Sequence, residues 1–187
     1  MSIVFVRHGL AAHNVAVLTE GEAAYSNPAY ADARLLDSAK EAIQATGTVL
    51  VAAGLQVGLI VSSPLTRCLE TAKILANHFP GISIACMDDL IECQGGGHIC
   101  NQRRRLEDLE HEFPEVQFYC SDAADPRRFT GPRETYPEVA ARMRRIIASL
   151  PTENILVVTH HDCIESITGV SLRNAEHLVI ARKALGI

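Results

Sequence analysis

The sequence predicts an α/β fold, a three-layer sandwich with helices on both faces of a mostly parallel central sheet. Four short apolar runs rich in β-branched residues indicate strands that are buried on both faces: residues 3–6, 59–61, 82–84 and 155–158. Amphipathic helical patterns lie between these runs. Strands that alternate with helices are typical of a parallel sheet, because each parallel strand needs a crossover connection.

Local start signals indicate where the helices begin. Serine and threonine cap helices well, a glutamate three residues later completes a capping box, and proline suits the first helical turn. Three pairs follow these rules: Ser38 with Glu41, Ser63 with Pro64, and Thr135 with Glu138. Gly54 is predicted to end the first of these helices, because glycine tolerates the left-handed conformation found there.

Residues 88–134 differ in character from the rest of the chain. They are polar, and they contain three consecutive glycines at 95–97 and three consecutive arginines at 103–105. We predict a single domain over residues 1–187, with this segment as a helical and loop insertion above the strand ends. Loops at the carboxyl edge of an α/β sheet are typical of substrate binding, so the insertion is predicted to be lid-like.

Composition and charge exclude several classes of protein. The net charge is −5, which gives no reason to expect nucleic acid or an anionic membrane surface as a partner. No window approaches the roughly 20 apolar residues of a membrane span, and the N-terminal apolar run is too short for a signal peptide. The six cysteines include no Cys-x-x-Cys pair, so we expect a cytoplasmic protein with reduced thiols.

One group of residues raises the question of a metal site. Cys93, His98 and Cys100 are three soft ligands within a short segment. Their spacing matches no common zinc pattern, and no matching second pair follows. We therefore predict neither a metal nor another cofactor.

Polar and basic residues follow three of the predicted strands at the point where each strand ends. Arg7 and His8 follow the first, Arg67 follows the second, and His160 and His161 follow the last. The carboxyl ends of neighbouring parallel strands meet at one crevice, so these side chains are expected to face one point. Such a cluster is unfavourable without an anion, and arginine suits phosphate. The sequence therefore predicts a phosphate site.

Three ordered motifs at these strand ends resemble those of the histidine phosphatase superfamily, also called phosphoglycerate mutase-like. They are VRHG....N at 6–14, SSPLTRCLETA at 62–72 and VVTHHD at 157–162. The segment ETYPEVAARM at 134–143 is similar to a further family segment. The resemblance extends over nearly the whole chain and implies the phosphoglycerate mutase-like fold.

The resemblance implies a role for each motif residue. His8 would be the nucleophile, since a neutral imidazole can attack phosphorus and hold the phosphoryl group as phosphohistidine. Arg7, Arg67 and His160 would bind the phosphoryl oxygens and stabilise their charge in the transition state. Asn14 would donate to the same phosphate, assisted by the backbone N–H of His161.

The family also places an acidic residue after the strand at 82–85, as general acid for the leaving alcohol. Asp88, Asp89 and Glu92 are the candidates in this chain. We favour Glu92, because the family's acid follows a short leucine-containing turn at this point. Its surroundings are expected to raise its pKa, so that the carboxyl is protonated when needed.

The remaining basic residues receive weaker assignments. His13 is predicted to pack or to line the pocket, and Arg103 to Arg105 to form a solvated helix face. Arg127, Arg128 and Arg133 are candidates for contacting a second anionic group of a substrate.

These features together predict a metal-independent phosphomonoester hydrolase acting on a small phosphorylated metabolite. The segment after Glu92 lacks the pattern and the long insertion associated with cofactor-dependent phosphoglycerate mutases. A phosphoglycerate mutase is the first alternative, and a non-catalytic phosphate-binding protein of the same fold is the second.

Overall fold

The computed structural model describes residues 1–121, 131–151 and 154–187. The described residues form a six-stranded sheet with the strand order β4-β3-β2-β5-β1-β6. The strands are β1 Ser2–Arg7, β2 Leu59–Ser62, β3 Ser83–Met87, β4 Val116–Tyr119, β5 Ile155–Thr159 and β6 His177–Ala181. Neighbouring strands are parallel except for β6, which pairs with β1 in the antiparallel sense. Arg127 and Arg128 lie outside the described residues.

Helices cover both faces of the sheet, which confirms the predicted three-layer fold. They are α1 Ala12–Glu20, α2 Ala39–Ala52, α3 Thr66–Ala76, α4 Leu106–Glu112, α5 Tyr136–Ser149 and α6 His161–Thr168. Helices α2, α3 and α4 share one hydrophobic cluster with Val4 and Val6 of β1. Helices α5 and α6 share the other cluster with Ile3 and Phe5. Alternate residues of β1 thus enter opposite cores, as the two-residue period of a strand requires.

None of the helices in the described ranges combines the length and the apolar character that a membrane crossing needs.

Two strands were not predicted, and both lie at the edges of the sheet. The central strands β1, β2 and β5 are buried over most of their length, so they are almost continuously apolar. Strands β4 and β6 have mixed burial, with exposed residues in each. Strand β4, with the sequence VQFY, lacks the continuous apolar run by which the other four were identified, and it lies inside the segment expected to be helical and looped. Strand β6 does contain an apolar run, from Leu178 to Ala181, so its sequence carried a strand signal that the prediction overlooked.

The predicted start of α3 is wrong by two residues. The helix begins at Thr66, and Leu65 rather than Ser63 is its N-cap. The Ser63 hydroxyl instead lies 2.7 Å from Nε2 of His160. A carboxylate from a distant loop replaces the missing cap, since Asp32 Oδ1 accepts the backbone N–H of Thr66 at 2.8 Å.

The other two start signals had different outcomes. Helix α2 begins directly after Ser38, but the Ser38 side chain makes no capping hydrogen bond, so the predicted capping box is wrong. The capping box of Thr135 and Glu138 is confirmed at the start of α5, where the Thr135 N–H donates to the Glu138 carboxylate at 2.8 Å.

The arginine run before α4 is not a solvated helix face. Arg103 is buried and pairs with Asp88 at 3.2 Å. Arg104 pairs with the buried Asp32 at 3.0 Å and with Glu112 at 2.8 Å. The prediction is therefore wrong for these two arginines. The Arg104–Asp32 pair joins the segment 88–134 to the loop before α2, and the other two pairs lie within that segment.

A buried arginine of α5 holds the first part of the insertion in place. Arg142 donates from one terminal nitrogen to the carbonyl oxygens of Asp89 and Ile91, at 2.6 and 2.9 Å. Its remaining donors bind the Glu134 carboxylate at 3.0 and 2.7 Å. Glu134 also accepts the backbone N–H of Gln94 at 2.8 Å. The backbone from 89 to 94 is therefore positioned by one guanidinium and its counter-ion.

We expect Arg142→Ala to lower the free energy of unfolding by about 3–5 kcal/mol, because it leaves the Glu134 charge and two carbonyl groups without their partner. Arg145→Ala is the matched control on the same helix, where the side chain is 71% exposed. The control should change stability by no more than about 0.5 kcal/mol. Urea denaturation of both variants measures the difference, and equal effects would contradict the assignment.

Candidate active site

The carboxyl ends of β1, β2 and β5 meet at one edge of the sheet. Strand β5 lies between the other two, and the parallel register places Arg7 opposite Thr159 and Ser62 opposite Val158. Residues beyond these strand ends border a cavity of about 320 Å³. Six of the predicted site residues line it: Arg7, His8, Asn14, Arg67, Glu92 and His161.

The hydrogen bonds of His8 determine which of its ring nitrogens is free to react. Nδ1 lies 2.7 Å from the carbonyl oxygen of Gly9. A carbonyl only accepts, so Nδ1 carries the proton and Nε2 carries the lone pair. Nε2 in turn accepts from Nε–H of Arg67 at 3.2 Å. Burial, followed by the positive charge of Arg67, holds the pKa of His8 well below its usual value. His8 is therefore a neutral imidazole at neutral pH.

Arg67, in the first turn of α3, is almost completely buried at 1% exposure. Besides His8, its guanidinium binds the carbonyl oxygen of Cys100 at 2.8 Å and Oδ1 of Asn101 at 2.9 Å. Its second terminal nitrogen also lies 3.3 Å from Nδ1 of His160. Each of the three guanidinium nitrogens thus has a protein acceptor, and two of these acceptors come from the insertion.

Arg7 approaches the cavity from the end of β1. One terminal nitrogen donates to the carbonyl oxygen of Leu172 at 2.8 Å and lies 3.5 Å from Nδ1 of His161. Nε of Arg7 is buried and has no hydrogen-bond partner among the described residues. An unpaired buried donor is unfavourable, so this side chain retains the capacity to bind an anion.

His160 lies beside the cavity rather than in its wall. The side chain is fully buried, and its ring centroid is 5.1 Å from that of His8. One ring nitrogen faces Arg67 at 3.3 Å and the other faces the Ser63 hydroxyl at 2.7 Å. Burial, followed by the charge of Arg67, holds the pKa of His160 well below its usual value, so this ring is neutral as well.

Glu92 is a partly buried carboxylic acid in the cavity wall. Oε1 accepts the backbone N–H of Cys93 at 2.9 Å. Burial raises the pKa of Glu92, and the negative charge of Asp162 raises it further. The protonated form therefore persists to higher pH than it does for an exposed glutamate.

The other two candidate acids do not line this cavity. Asp88 pairs with Arg103 at 3.2 Å and accepts the backbone N–H of Ser121 at 2.7 Å. Asp89 borders a separate surface pocket and lies 3.9 Å from Arg145. The geometry therefore separates Glu92 from both aspartates.

Asn14 and His13 lie side by side on the first turn of α1. Oδ1 of Asn14 accepts the backbone N–H of Ala11 at 3.0 Å, and its amide nitrogen lies 3.0 Å from Nε2 of His13. Burial and the charges of Arg67 and Arg7 lower the pKa of His13 to about 2. His13 lines the cavity as a neutral ring, which confirms its predicted position.

Two cavity residues were not named by the sequence analysis, Tyr25 and Asn101. Three others line the cavity although no role in binding a substrate was predicted for them: His98, Cys100 and Asp162. Arg133, one of the predicted candidates for a second anion, also lines the cavity, where it donates to Asp162 at 2.6 Å. In the sequence, the run of glycines at 95–97 was the one signal that the backbone here is unusual. All three glycines adopt positive φ and shape the turn that precedes His98.

The residues considered for zinc have other partners. Cys93 Sγ donates to the carbonyl oxygen of Glu134 at 3.2 Å, and His98 stacks on Tyr25. Within the described ranges, the group close enough to share an ion is instead His161, Asp162 and Glu165. Asp162 and Glu165 already accept from Arg133 and Tyr136, so we assign no metal to them.

Comparison with known proteins identifies relatives of this chain. A protein of Arabidopsis thaliana named phosphoglycerate mutase-like protein 1 is 28% identical over 197 residues, covering 85% of this chain and 67% of the relative. A probable phosphatase of Schizosaccharomyces pombe is 30% identical over 167 residues, covering 85% of this chain and 73% of the relative.

Solved structures share the fold at lower sequence identity. The ecdysone phosphate phosphatase of the silkworm Bombyx mori has a TM-score of 0.70 at 14% identity, with 98% of this chain and 90% of that chain covered. A mycobacterial glucosyl-3-phosphoglycerate phosphatase has a TM-score of 0.62 at 21% identity, with 95% and 88% covered.

The family model for branch 1 of the histidine phosphatase superfamily matches residues 3–180. This match covers nearly the whole chain and includes all three strand-end motifs. It confirms the predicted family and the predicted enzyme class, a histidine phosphatase. The chain belongs to the histidine phosphatase superfamily.

Proposed function

We propose that the protein is a metal-independent phosphomonoester hydrolase that acts through a phosphohistidine at His8 on a small phosphorylated metabolite. The proposal rests on the protonation and the hydrogen bonding of the His8 ring. Its lone pair is at Nε2, beside the cavity, because Nδ1 donates to Gly9. Arg7 and Arg67 line the same cavity and supply the positive charge that a phosphoryl group needs.

In the first proposed step, Nε2 of His8 attacks phosphorus and the bond from phosphorus to the ester oxygen breaks. Glu92 gives its proton to the leaving oxygen. The phosphorylated imidazole carries a positive charge, which the Gly9 carbonyl stabilises through the Nδ1–H bond. The Arg67 Nε–H that now points to Nε2 moves to a phosphoryl oxygen as the substrate enters.

In the second proposed step, water attacks phosphorus and the phosphorus–nitrogen bond breaks. The Glu92 carboxylate accepts a proton from that water, so Glu92 and His8 both return to their starting states. Inorganic phosphate then leaves the cavity. No proton is gained or lost at Nδ1 of His8 in either step.

The remaining predicted residues have supporting roles in this proposal. Asn14 and the backbone N–H of His161 donate to the phosphate from the cavity wall. His160 now binds Arg67 and Ser63, so its direct contact with the phosphate requires it to exchange one of these bonds. Until it does, His160 influences the phosphate by orienting Arg67.

The relatives support hydrolysis, because the yeast relative is named a probable phosphatase and two similar structures are phosphatases by name. The plant relative carries a mutase-like name, so isomerisation of phosphoglycerate with a bisphosphate primer is the assay that tests the alternative.

We expect His8→Ala to lower the hydrolysis of p-nitrophenyl phosphate by about 10³-fold or more, because the variant has no nucleophile. The assay is run with a chelator present, so that activity of the native protein also tests metal independence. His111→Ala is the control, since His111 is an exposed histidine of α4. Thermal denaturation checks folding, and substantial activity in folded His8→Ala would exclude the mechanism.

Glu92→Gln should slow esters with poor leaving groups more than those with good ones. An alkyl phosphate needs a proton at its leaving oxygen, whereas p-nitrophenolate leaves without one. In kcat/KM, which reports the first step and not the hydrolysis of phosphohistidine, we expect a loss of about 10²–10⁴-fold on the alkyl ester and a much smaller loss on p-nitrophenyl phosphate. Asp89→Asn is the control, which should leave the ratio of the two rates unchanged. Equal losses of kcat/KM on both esters would remove Glu92 as the general acid.

The pH dependence of the alkyl ester reaction follows from the same two groups. His8 must be neutral, and its lowered pKa keeps it neutral in mild acid. Glu92 must be protonated, and its raised pKa keeps it so to higher pH than usual. The rate of phosphorylation of His8 should therefore be retained in mild acid and fall as pH rises through the pKa of Glu92. Rapid-quench measurements should show this fall in the native protein and not in Glu92→Gln.

A further inference from the structure

Part of the cavity wall has no role in the proposed mechanism. It contains Tyr25, His98, Arg133 and Asp162, which line the same cavity as His8. These four side chains form two pairs, one aromatic and one ionic, and we call them the outer wall. The following inference concerns the organic group that the outer wall accepts, and it rests on the proposed function.

The aromatic pair is flat and uncharged. The rings of Tyr25 and His98 stack with a centroid distance of 4.9 Å and an interplanar angle of 25°. Burial raises the pKa of Tyr25, while burial and the charge of Arg133 lower the pKa of His98. Both rings are therefore neutral at neutral pH. Neutral rings in a half-buried wall favour contact with another ring over contact with an ion.

The ionic pair leaves the outer wall without net charge. Arg133 donates to Asp162 at 2.6 Å, and Asp162 also accepts from the Tyr136 hydroxyl at 3.3 Å. The other described arginines of the cavity are Arg7 and Arg67, which lie beside His8. A second carboxylate or phosphate of a substrate that approached Arg133 would also meet the negative charge of Asp162. The ion pair therefore gives this part of the cavity no net positive charge to favour a second anion.

Backbone contacts bring the two pairs to one place. The Gly96 N–H donates to the Gly131 carbonyl at 3.1 Å, and the Glu134 N–H donates to the Gln94 carbonyl at 2.8 Å. Gly95 has φ +85°, and a Cβ there would lie 2.1 Å from the Pro132 carbonyl oxygen. The glycine turn before His98 is thus packed directly against the backbone that carries Arg133.

A third hydrogen bond joins the segment that carries Tyr25 to the same glycine turn. The hydroxyl of Ser26, next to Tyr25, donates to the Gly97 carbonyl oxygen at 3.0 Å. The segments that carry Tyr25, His98 and Arg133 are therefore joined by hydrogen bonds, and the bond from Arg133 to Asp162 adds α6 as the fourth segment of the outer wall.

We propose that the outer wall is a subsite for one uncharged aromatic ring, so that the preferred substrate is a phosphomonoester with a single phosphate and a single neutral aromatic group. The phosphate lies between Arg7 and Arg67, and the ring packs against Tyr25 and His98. A cavity of about 320 Å³ holds a group of this size. Bisphosphates and phosphorylated carboxylic acids are disfavoured, because their second anion meets the Arg133–Asp162 pair.

The test measures binding with three phosphonates that cannot be hydrolysed: benzylphosphonate, ethylphosphonate and phosphonoacetate. Titration calorimetry should rank benzylphosphonate as the tightest ligand. Tyr25→Leu and His98→Leu should each weaken benzylphosphonate about three- to tenfold, the range expected for loss of an aromatic contact, and change ethylphosphonate less than twofold. Tyr119→Leu is the control, since Tyr119 is 64% exposed on the edge strand β4.

Two results would overturn the subsite. One is tightest binding of phosphonoacetate, which carries a second anion. The other is equal weakening of all three phosphonates by Tyr25→Leu and His98→Leu, which would indicate a structural effect on the phosphate site.

Hydrolysis of benzyl phosphate, measured separately, tests the proposed function. Selective binding of benzylphosphonate without turnover of benzyl phosphate would reject hydrolysis and keep the subsite. Turnover without selectivity would reject the subsite and keep hydrolysis.

Discussion

The burial of the Arg67 guanidinium is the interaction on which the rest of the site depends. A buried cation is tolerated when its donors are paired, and here the partners come from separate parts of the chain. His8 follows β1, His160 follows β5, and Cys100 and Asn101 belong to the insertion. The guanidinium of Arg67 keeps all of these hydrogen-bond acceptors only when the ends of β1 and β5 and the segment 88–134 meet at the start of α3. The same side chain thus assembles the cavity and supplies its charge.

This arrangement also favours the protonation states that the proposed phosphoryl transfer requires. Burial and the positive charge of Arg67 keep His8 and His160 neutral. Burial has the opposite consequence for Glu92, where it favours the uncharged acid. Burial in one site thus favours the neutral imidazole of His8 and the protonated carboxyl of Glu92 together, which are the two states that the proposed mechanism requires.

The sequence predicted the centre of the fold and the strand-end residues for the same physical reason. Strands buried on both faces are continuously apolar, so β1, β2 and β5 and the residues that follow them were evident. The edge strand β4 lacks that signal, whereas β6 carries an apolar run that was overlooked. The Ser63 cap was misassigned because its hydroxyl binds His160, a contact between residues 97 positions apart. Asn101 and Tyr25 also enter the site through contacts with residues distant in the sequence, Arg67 and His98 respectively. Within the segment 88–134, only the glycines at 95–97 indicated an unusual backbone conformation.

One short segment of the chain contributes both to the proposed phosphate site and to the proposed subsite for the organic group. The short segment from His98 to Asn101 carries a ring of the outer wall at one end and an acceptor for Arg67 at the other. In the proposed mechanism Arg67 must leave Nε2 of His8 before attack, so the arginine that frees the proposed nucleophile is bound by the same segment that carries His98. The proposed subsite for the organic group and the proposed activation of His8 therefore depend on one segment rather than on two separate parts of the chain.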